Sequence, residues 1–466
     1  MSANPETIQL AYGACVLNGV NERDFVIDGA MPLHWQRTYL SDNAHAGLLG
    51  RGWTVPMSLH LLAMPEEVVL IDAQGRRISF PRLEAGQQFY SRYEHITLRC
   101  VEGASWEVVS QDGTRLLFGR GGEAPGAAAA AATRYIPLAG VEDSNGNGFH
   151  LQYDAAGLPV TLRRTDGVQV GFAYDWSIVP GSPRLVQVLW HGQLEEEAPA
   201  PAQAPLLVSY RYSKDGDLSE VVDDTGVVCQ RFTYVDHRLV ERQEASGLVV
   251  RYEWSSLQPE AKVLAMRHST GAQWHMRYDD AAHTVQVTHI SGTMSRSFEQ
   301  RFDADGHLLA SVDALGGVTR LERDAYGNVL SHTDAQGNIT TYQYDARGRT
   351  TLAHLPDGGQ ESTQWLQGQD KPVAITDALG RTTRFEWDER GNLLSTTAAD
   401  GSITRYHYDQ RGLPVTITDA LGKSRQLQYN ALGQLVQYTD CSGQPTQLLW
   451  DLEGNVLSIT DALGLK

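Results

Sequence analysis

From about residue 300 onward, side chains alternate between two kinds in steps of two, as on a strand with unlike faces. Thr340, Tyr342 and Tyr344 fall on one side of an extended segment, and Thr341 and Gln343 on the other. Successive side chains of a β-strand point to opposite faces, so this period belongs to a sheet. Asp and Gly interrupt it too often for a helix to continue. The pattern therefore predicts short strands joined by tight turns.

The interruptions are themselves periodic. An aromatic residue, usually followed by Asp and then by Gly three positions later, stands at Phe302, Tyr344, Trp365, Trp387, Tyr408, Tyr429 and Trp450, with Arg323 once in its place. The steps are 21 residues, with one of 22. A fixed period of this length marks one supersecondary unit stacked on copies of itself. Each unit carries two turn signals. The first includes Asp303/Gly306, Asp345/Gly348, Asp388/Gly391 and Asp409/Gly412; the second includes Asp313/Gly316, Asp334/Gly337, Asp377/Gly380, Asp419/Gly422 and Asp461/Gly464. Asp suits the first turn position because its carboxylate accepts a backbone N–H two residues on, and Gly a later one because it tolerates positive φ. The expected architectural anchors are Phe302, Tyr344, Asp345, Gly348, Trp387, Asp388, Gly391, Tyr408, Asp409, Gly412, Tyr429, Trp450, Asp451 and Gly454.

Upstream the unit persists with looser spacing at Tyr153, Tyr174, Tyr212, Tyr234, Trp254 and Tyr278. Two stretches break it. Residues 192–205, rich in Pro, Ala and Glu, read as an extended surface insertion, and the Gly- and Ala-rich run from Gly119 to Tyr135 reads as a loop. The main boundary is placed there: a β-rich domain over 1–132, then a repeat array over 133–466, loose to about 300 and regular from about 302.

Charge and composition narrow the partners. With 38 Lys and Arg against 56 Asp and Glu, the net charge of -18 repels phosphate, which disfavours nucleic acid and anionic membranes. No run of apolar residues is long enough to span a bilayer as a helix, and no basic stretch precedes an apolar one at the start. Synthesis in the cytoplasm without a signal peptide is the expectation. The four cysteines, Cys15, Cys100, Cys229 and Cys441, lie far apart with no metal-type spacing, so they are expected to be small buried hydrophobes.

The Tyr-Asp-x-x-Gly and Thr-Asp-Ala-Leu-Gly units resemble the YD repeats of Rhs proteins, bacterial carriers of polymorphic toxins. The N-terminal part is similar to the domain that precedes those repeats, on the strength of Asp24-Phe25, of Pro32-Leu33-His34-Trp35-Gln36-Arg37-Thr38-Tyr39 and of Gly47-Leu48-Leu49-Gly50-Arg51-Gly52-Trp53. The resemblance implies an all-β fold of stacked hairpins forming part of a hollow spiral β-shell, or cocoon, around a toxic C-terminal domain. It also implies release by a contact-dependent route such as type VI secretion, with spike components or a chaperone as further partners. The family's spike-tip domain, autoproteolysis segment and variable effector have no counterpart in this string. A toxin domain or other polypeptide cargo would then come from a longer relative or a second chain, and the last strand, lacking a next hairpin, is expected to associate through its edge.

Sharper chemistry finds less support in these residues. Asp143, Asn145 and Asn147 fit half of a calcium loop, with Asp154 at its far end, but the flanks alternate like strands and a hairpin turn is the natural reading. Carboxylates repeated in every unit are explained by turn chemistry, whereas catalysis needs a singular place. The 15 histidines, among them His283, His289, His332 and His354, accompany neither a metalloprotease motif nor a nucleophile elbow. No catalytic, cofactor or metal residues are assigned, and an enzyme is not expected. The leading function is a structural encapsulation module that acts by steric enclosure. The alternative is a secreted or surface-exposed binding module whose aromatic ladder recognises carbohydrate or protein.

Overall fold

The computed structural model describes residues 5–101, 105–119, 133–193, 204–258, 260–451 and 454–465. Most of the 192–205 insertion and of the Gly119–Tyr135 run lies outside these. The described residues form 44 strands and two short 3-10 turns, with no α-helix among them.

From Gln88–Ser91 to Val456–Thr460 each strand pairs antiparallel with the next in sequence, a hairpin meander of unusual length. Its start folds back on itself. His60–Ala63 pairs on one side with Glu67–Ile71 and on the other with the first half of Arg134–Glu142, in the register Arg134↔Ala63. The second half of that long strand pairs with Arg115–Phe118 and Gly148–Tyr153, so one strand serves two sheets. Ahead of it, Ile8–Gln9, Ala14–Leu17, Thr38–Leu40 and Trp53–Thr54 make a small four-stranded sheet, and Arg23–Ile27 pairs with Leu33–Gln36.

One turn geometry serves nearly the whole array. At Asp345, Oδ1 accepts the N–H groups of Arg347 at 2.8 Å and Arg349 at 3.0 Å, while the Asp345 carbonyl accepts Gly348 N–H at 3.0 Å. Gly348 has φ 81°, in the left-handed region where a side chain would be strained. This is a type I turn closed by a glycine bulge, which matches the right-handed twist of the strands it joins.

Each hairpin also carries a bulge beside its aromatic residue. Gln343 pairs with Leu352 but Tyr344 with Thr350, and the same shift precedes Trp365, Trp387, Tyr408, Tyr429 and Trp450. Between hairpins the ladder is shorter, covering Leu352↔Ser362 to His354↔Gln360. Neighbouring hairpins thus part at the end that holds the aromatic.

The core is unevenly placed. Trp35, Trp53, Leu61, Leu98, Val170, Val188, Val250, Val263 and Val287 are fully buried between the N-terminal strands and the strands running from Arg134 to Ser291, here termed the first course. Beyond Val287, Ala353 and Ala374 are the buried apolar side chains among the described residues. The regular array is therefore a single layer, and a lone sheet cannot bury a face of its own.

Candidate functional site

The anchor residues bridge the gap at which hairpins part. Tyr344 Oη donates to the Val329 carbonyl at 2.6 Å, Trp365 Nε1 to Thr350 at 2.8 Å, Trp387 Nε1 to Pro372 at 2.8 Å and Tyr408 Oη to Leu393 at 2.8 Å. Tyr429 and Trp450 repeat the bond to Pro414 and Leu435, at 2.9 and 2.8 Å. In each case the acceptor lies 15 residues back. Arg323, which breaks the aromatic rule, keeps the bond by donating Nε–H to Leu308 at 3.2 Å. What the position demands is a donor on a long side chain, and Tyr and Trp add a ring that packs as they reach it. Phe302 alone in the regular set has no such donor.

The turn carboxylates are engaged as acceptors. Asp345, Asp388, Asp409 and Asp451 each receive backbone N–H groups of their own turn. For Asp345 burial alone would raise the carboxyl pKa, but Arg349 and two backbone donors outweigh it and hold it below the usual range. Asp303, Asp305 and His307 bring three possible metal ligands together, yet Asp303 Oδ1 already accepts two turn N–H groups and Oδ2 faces His307 Nδ1 at 3.0 Å. Asp143 is likewise the acceptor of a hairpin turn between two strands, taking Asn145 and Asn147 N–H at 2.8 and 2.9 Å. Of the cysteines, Cys15 and Cys100 are buried, Cys229 is half-buried and Cys441 exposed, so the expectation of burial fails for the last. Burial pushes the Cys15 thiol up to about 12, which leaves it inert as a nucleophile.

The more informative surface is one face of the sheet. The residue two before each anchor points to it. In the first course these are Leu151, Phe172, Tyr210, Phe232, Tyr252 and Met276, all buried in the core shared with the N-terminal strands. Trp35 stacks on Phe172 at 5.4 Å and Trp53 meets Phe232 edge-on at 5.0 Å. Polar tips are paired across the same contact. Trp35 Nε1 donates to Tyr210 Oη at 2.8 Å, Tyr210 Oη to Asp24 at 2.6 Å, and Trp53 Nε1 to Tyr234 Oη at 2.9 Å. Arg37, fully buried, grips Asp24 at 2.9 Å and donates to Gln230 at 2.7 Å, and Gln230 in turn donates to Glu22 at 3.3 Å. Burial drives the hydroxyl pKa of Tyr210, Tyr234 and Tyr252 well above the ordinary value, so all three stay protonated and neutral.

In the regular array the same positions are Gln300, Leu321, Tyr342, Thr363, Phe385, Tyr406, Leu427 and Leu448, and all are half-buried. Cross-strand neighbours extend them: Tyr342 opposes Ala353, Tyr406 opposes Ile417, Leu427 opposes Tyr438 and Leu448 opposes Ile459. The stripe that the N-terminal module covers in the first course thus runs on without it.

The pre-repeat motif is visible in the sequence as a string, but not as a clamp. Its partners Tyr210 and Gln230 lie 175 and 193 residues further along. The bond to the residue 15 back did leave a trace, since every anchor after Phe302 ends in a donor.

A single-layer hairpin array with an aromatic module seated on one face defines a β-repeat scaffold. The chain belongs to the Rhs family of YD-repeat proteins. Residues 5–80 match a domain of unknown function, DUF6531, and residues 302–339, 323–360, 368–403, 387–424 and 429–466 match the RHS repeat. It is 31% identical over 431 residues to Toxin protein Tse5 of Pseudomonas aeruginosa, covering 83% of this chain and 31% of that protein. It is 29% identical over 298 residues to Double-stranded DNA deaminase toxin A of Burkholderia cenocepacia, covering 64% and 19%. Among solved structures, the crystal structure of TcdB2-TccC3 matches with a TM-score of 0.35 and 12% identity, over 95% of this chain and 29% of that one. The chain spans less than a third of the length of these relatives.

Proposed function

We propose that this chain is a carrier segment of an Rhs-type toxin system: a wall of β-hairpins that encloses a toxic domain or other polypeptide cargo and keeps it from its targets. The observation that carries this reading is the stripe from Phe172 to Leu448, interrupted by Gln300, covered by the N-terminal module in the first course and half-buried beyond it. A face of mixed aromatic, aliphatic and Thr side chains can hold a polypeptide without demanding one sequence. The 1–132 segment is then a plug for the first course, and 133–466 the wall. The anchor aromatics and the turn Asp and Gly residues have architectural roles in it. Their hydrogen-bonding groups are directed to backbone, which favours a structural module over an enzyme and leaves the anchor tips little to offer a carbohydrate. Release by a contact-dependent route, with spike or chaperone partners, completes the reading.

The test is coexpression of the full chain with the C-terminal toxin domain of an Rhs relative on a second plasmid. Copurification, with the toxin domain protected from added protease, is expected. A toxin domain that neither copurifies nor gains protection would refute enclosure by this chain.

A further inference from the structure

The array has two turn edges, and one of them is seated on earlier residues of the same chain. That edge holds the turns that follow the anchors. Tyr12 Oη donates to the Asp305 carbonyl at 2.5 Å, Tyr90 Oη to Arg347 at 2.8 Å, Ser144 Oγ to Arg390, and Asn147 Nδ2 to Arg411 at 2.8 Å. Each acceptor is the third residue of its turn, and the glycine after it is closely approached: a Cβ at Gly348 would meet His95 at 2.8 Å and one at Gly433 would meet Ala30 at 2.8 Å. Leu432, third in its turn, packs against the core, whereas Leu421, third in a turn of the other edge, is exposed. A seam thus joins the regular array to the N-terminal residues and the first course.

The bonds to backbone hold the array down but cannot tell its units apart. A third-position carbonyl followed by glycine recurs at Asp305, Tyr326, Arg347, Arg390, Arg411 and Leu432. Where successive units offer the same groups, register is weakly specified and a displacement by one whole unit keeps most contacts.

Two contacts on the seam do depend on the unit. Asn145, in the Asp143 turn that fits half of a calcium loop, exchanges both amide bonds with Asn392: its Nδ2 donates to Asn392 Oδ1 at 3.0 Å and accepts in return at Oδ1 from Asn392 Nδ2 at 2.9 Å. Tyr326 lies between Arg92, whose guanidinium stands 4.0 Å from the ring centroid, and Tyr93, whose ring is 5.3 Å away. A displacement by one unit destroys both. Asn145 would face Lys371, which has no side-chain acceptor, or Leu413, which has neither donor nor acceptor. Arg92 and Tyr93 would face Asp305 or Arg347, neither of which carries a ring.

We propose that Asn145–Asn392 and Arg92–Tyr326 are register pins, which select the one unit of the array that seats at each point of the seam and so fix how many hairpins are wound between them. A single paired polar side chain in an otherwise uniform contact sets register in coiled coils by the same means. The inference is independent of what the wall encloses.

The pins can be removed with residues that other units already carry at the same turn positions: Tyr326→Leu copies Leu432, and Asn392→Leu copies Leu413. The hairpins themselves should therefore still form. Spin labels on Thr225→Cys in the first course and Arg405→Cys in the array, both exposed positions, report the register by pulsed electron paramagnetic resonance. Cys229→Ser and Cys441→Ser keep the labels specific, since Cys15 and Cys100 are buried. With both pins intact a single distance is expected. Tyr326→Leu/Asn392→Leu should add a second population displaced by about 10 Å, the width of one hairpin at ordinary strand spacing. Adding Leu413→Asn gives Asn145 an amide partner one unit along, and the displaced population should become the larger. Ser144→Ala, which removes only a bond to backbone, should keep the single distance. One unshifted distance in both pin variants overturns the proposal, and so does a Ser144→Ala variant that splits the distance as much as they do. Loss of the far-ultraviolet β spectrum in the pin variants would also overturn it, because these residues would then build the fold rather than set its register.

Discussion

At the scale of single residues, the anchor side chain is defined by its donor rather than by its ring. Trp387→Phe keeps an aromatic ring, a smaller one, but leaves the Pro372 carbonyl without the indole N–H that meets it at 2.8 Å. A half-buried acceptor left unmade costs about 1–3 kcal/mol. Tyr408→Phe should lose a similar amount at Leu393, whereas Phe302→Tyr, at a position with no such bond, should lose nothing. Denaturant midpoints of the three variants would show it, and equal midpoints for wild type and both donor-less variants would contradict this role. Turn glycines divide by edge. Gly380→Ala meets open space and suffers only the strain of its positive φ of 77°. Gly412→Ala has the same φ but also runs into Asn145 of the first course, so it should be the more destabilising of the two, with total cost of about 1–3 kcal/mol.

Single elements depend on charge. The carboxylates of Asp303, Asp324 and Asp345 are each held below the usual range: burial works against this, and turn N–H groups, with His307, Asn328 or Arg349 beside them, outweigh it. A group whose folded pKa is depressed adds stability above the unfolded value, near 4 for Asp, and that stability is lost as pH falls through the folded value. Hairpins of the regular array are therefore expected to loosen below about pH 4. Amide exchange in these turns, compared between neutral pH and acid after correction for intrinsic rates, is the measurement, and uniform protection across that range would contradict the linkage. The N-terminal clamp obeys a different rule. Arg37→Met removes the partner of Asp24 and Gln230 in a closed site and should cost about 3–5 kcal/mol, because a buried carboxylate is left uncompensated. Arg381→Met, whose carboxylate partner Asp377 sits at an exposed turn, should cost far less by comparison, as surface pairs do.

For the molecule as a whole, burial is concentrated at one end of the sequence. The first course and the N-terminal strands share one core, while the regular array is a single layer with Ala353 and Ala374 as its buried apolar residues. Opening free energies scale with such local burial. Hydrogen exchange at neutral pH should thus be slowest in strands such as Val168–Asp175 and Val249–Trp254, and faster in Ile403–Tyr408 and Ser424–Tyr429. Cargo bound to the array should slow the latter set without changing the former.

The hairpin period, the two turns of each unit, the bends at Asp and Gly and the lack of helix among the described residues were all legible in the sequence, because each is local: a strand alternates by covalent geometry, and a turn needs only its own Asp and Gly. The donor rule was half-legible, visible in the choice of Tyr, Trp and one Arg, but its acceptor emerged only when hairpins were placed side by side. The clamp of Trp35, Arg37 and Trp53 on Tyr210, Gln230 and Tyr234 was not legible at all. Nothing local distinguishes Tyr210 from Tyr342, or Leu432 from Leu421. One is covered and its counterpart is not, and that depends on which course the chain lays against which, a matter of long-range packing that repeats nearly identical in sequence cannot announce.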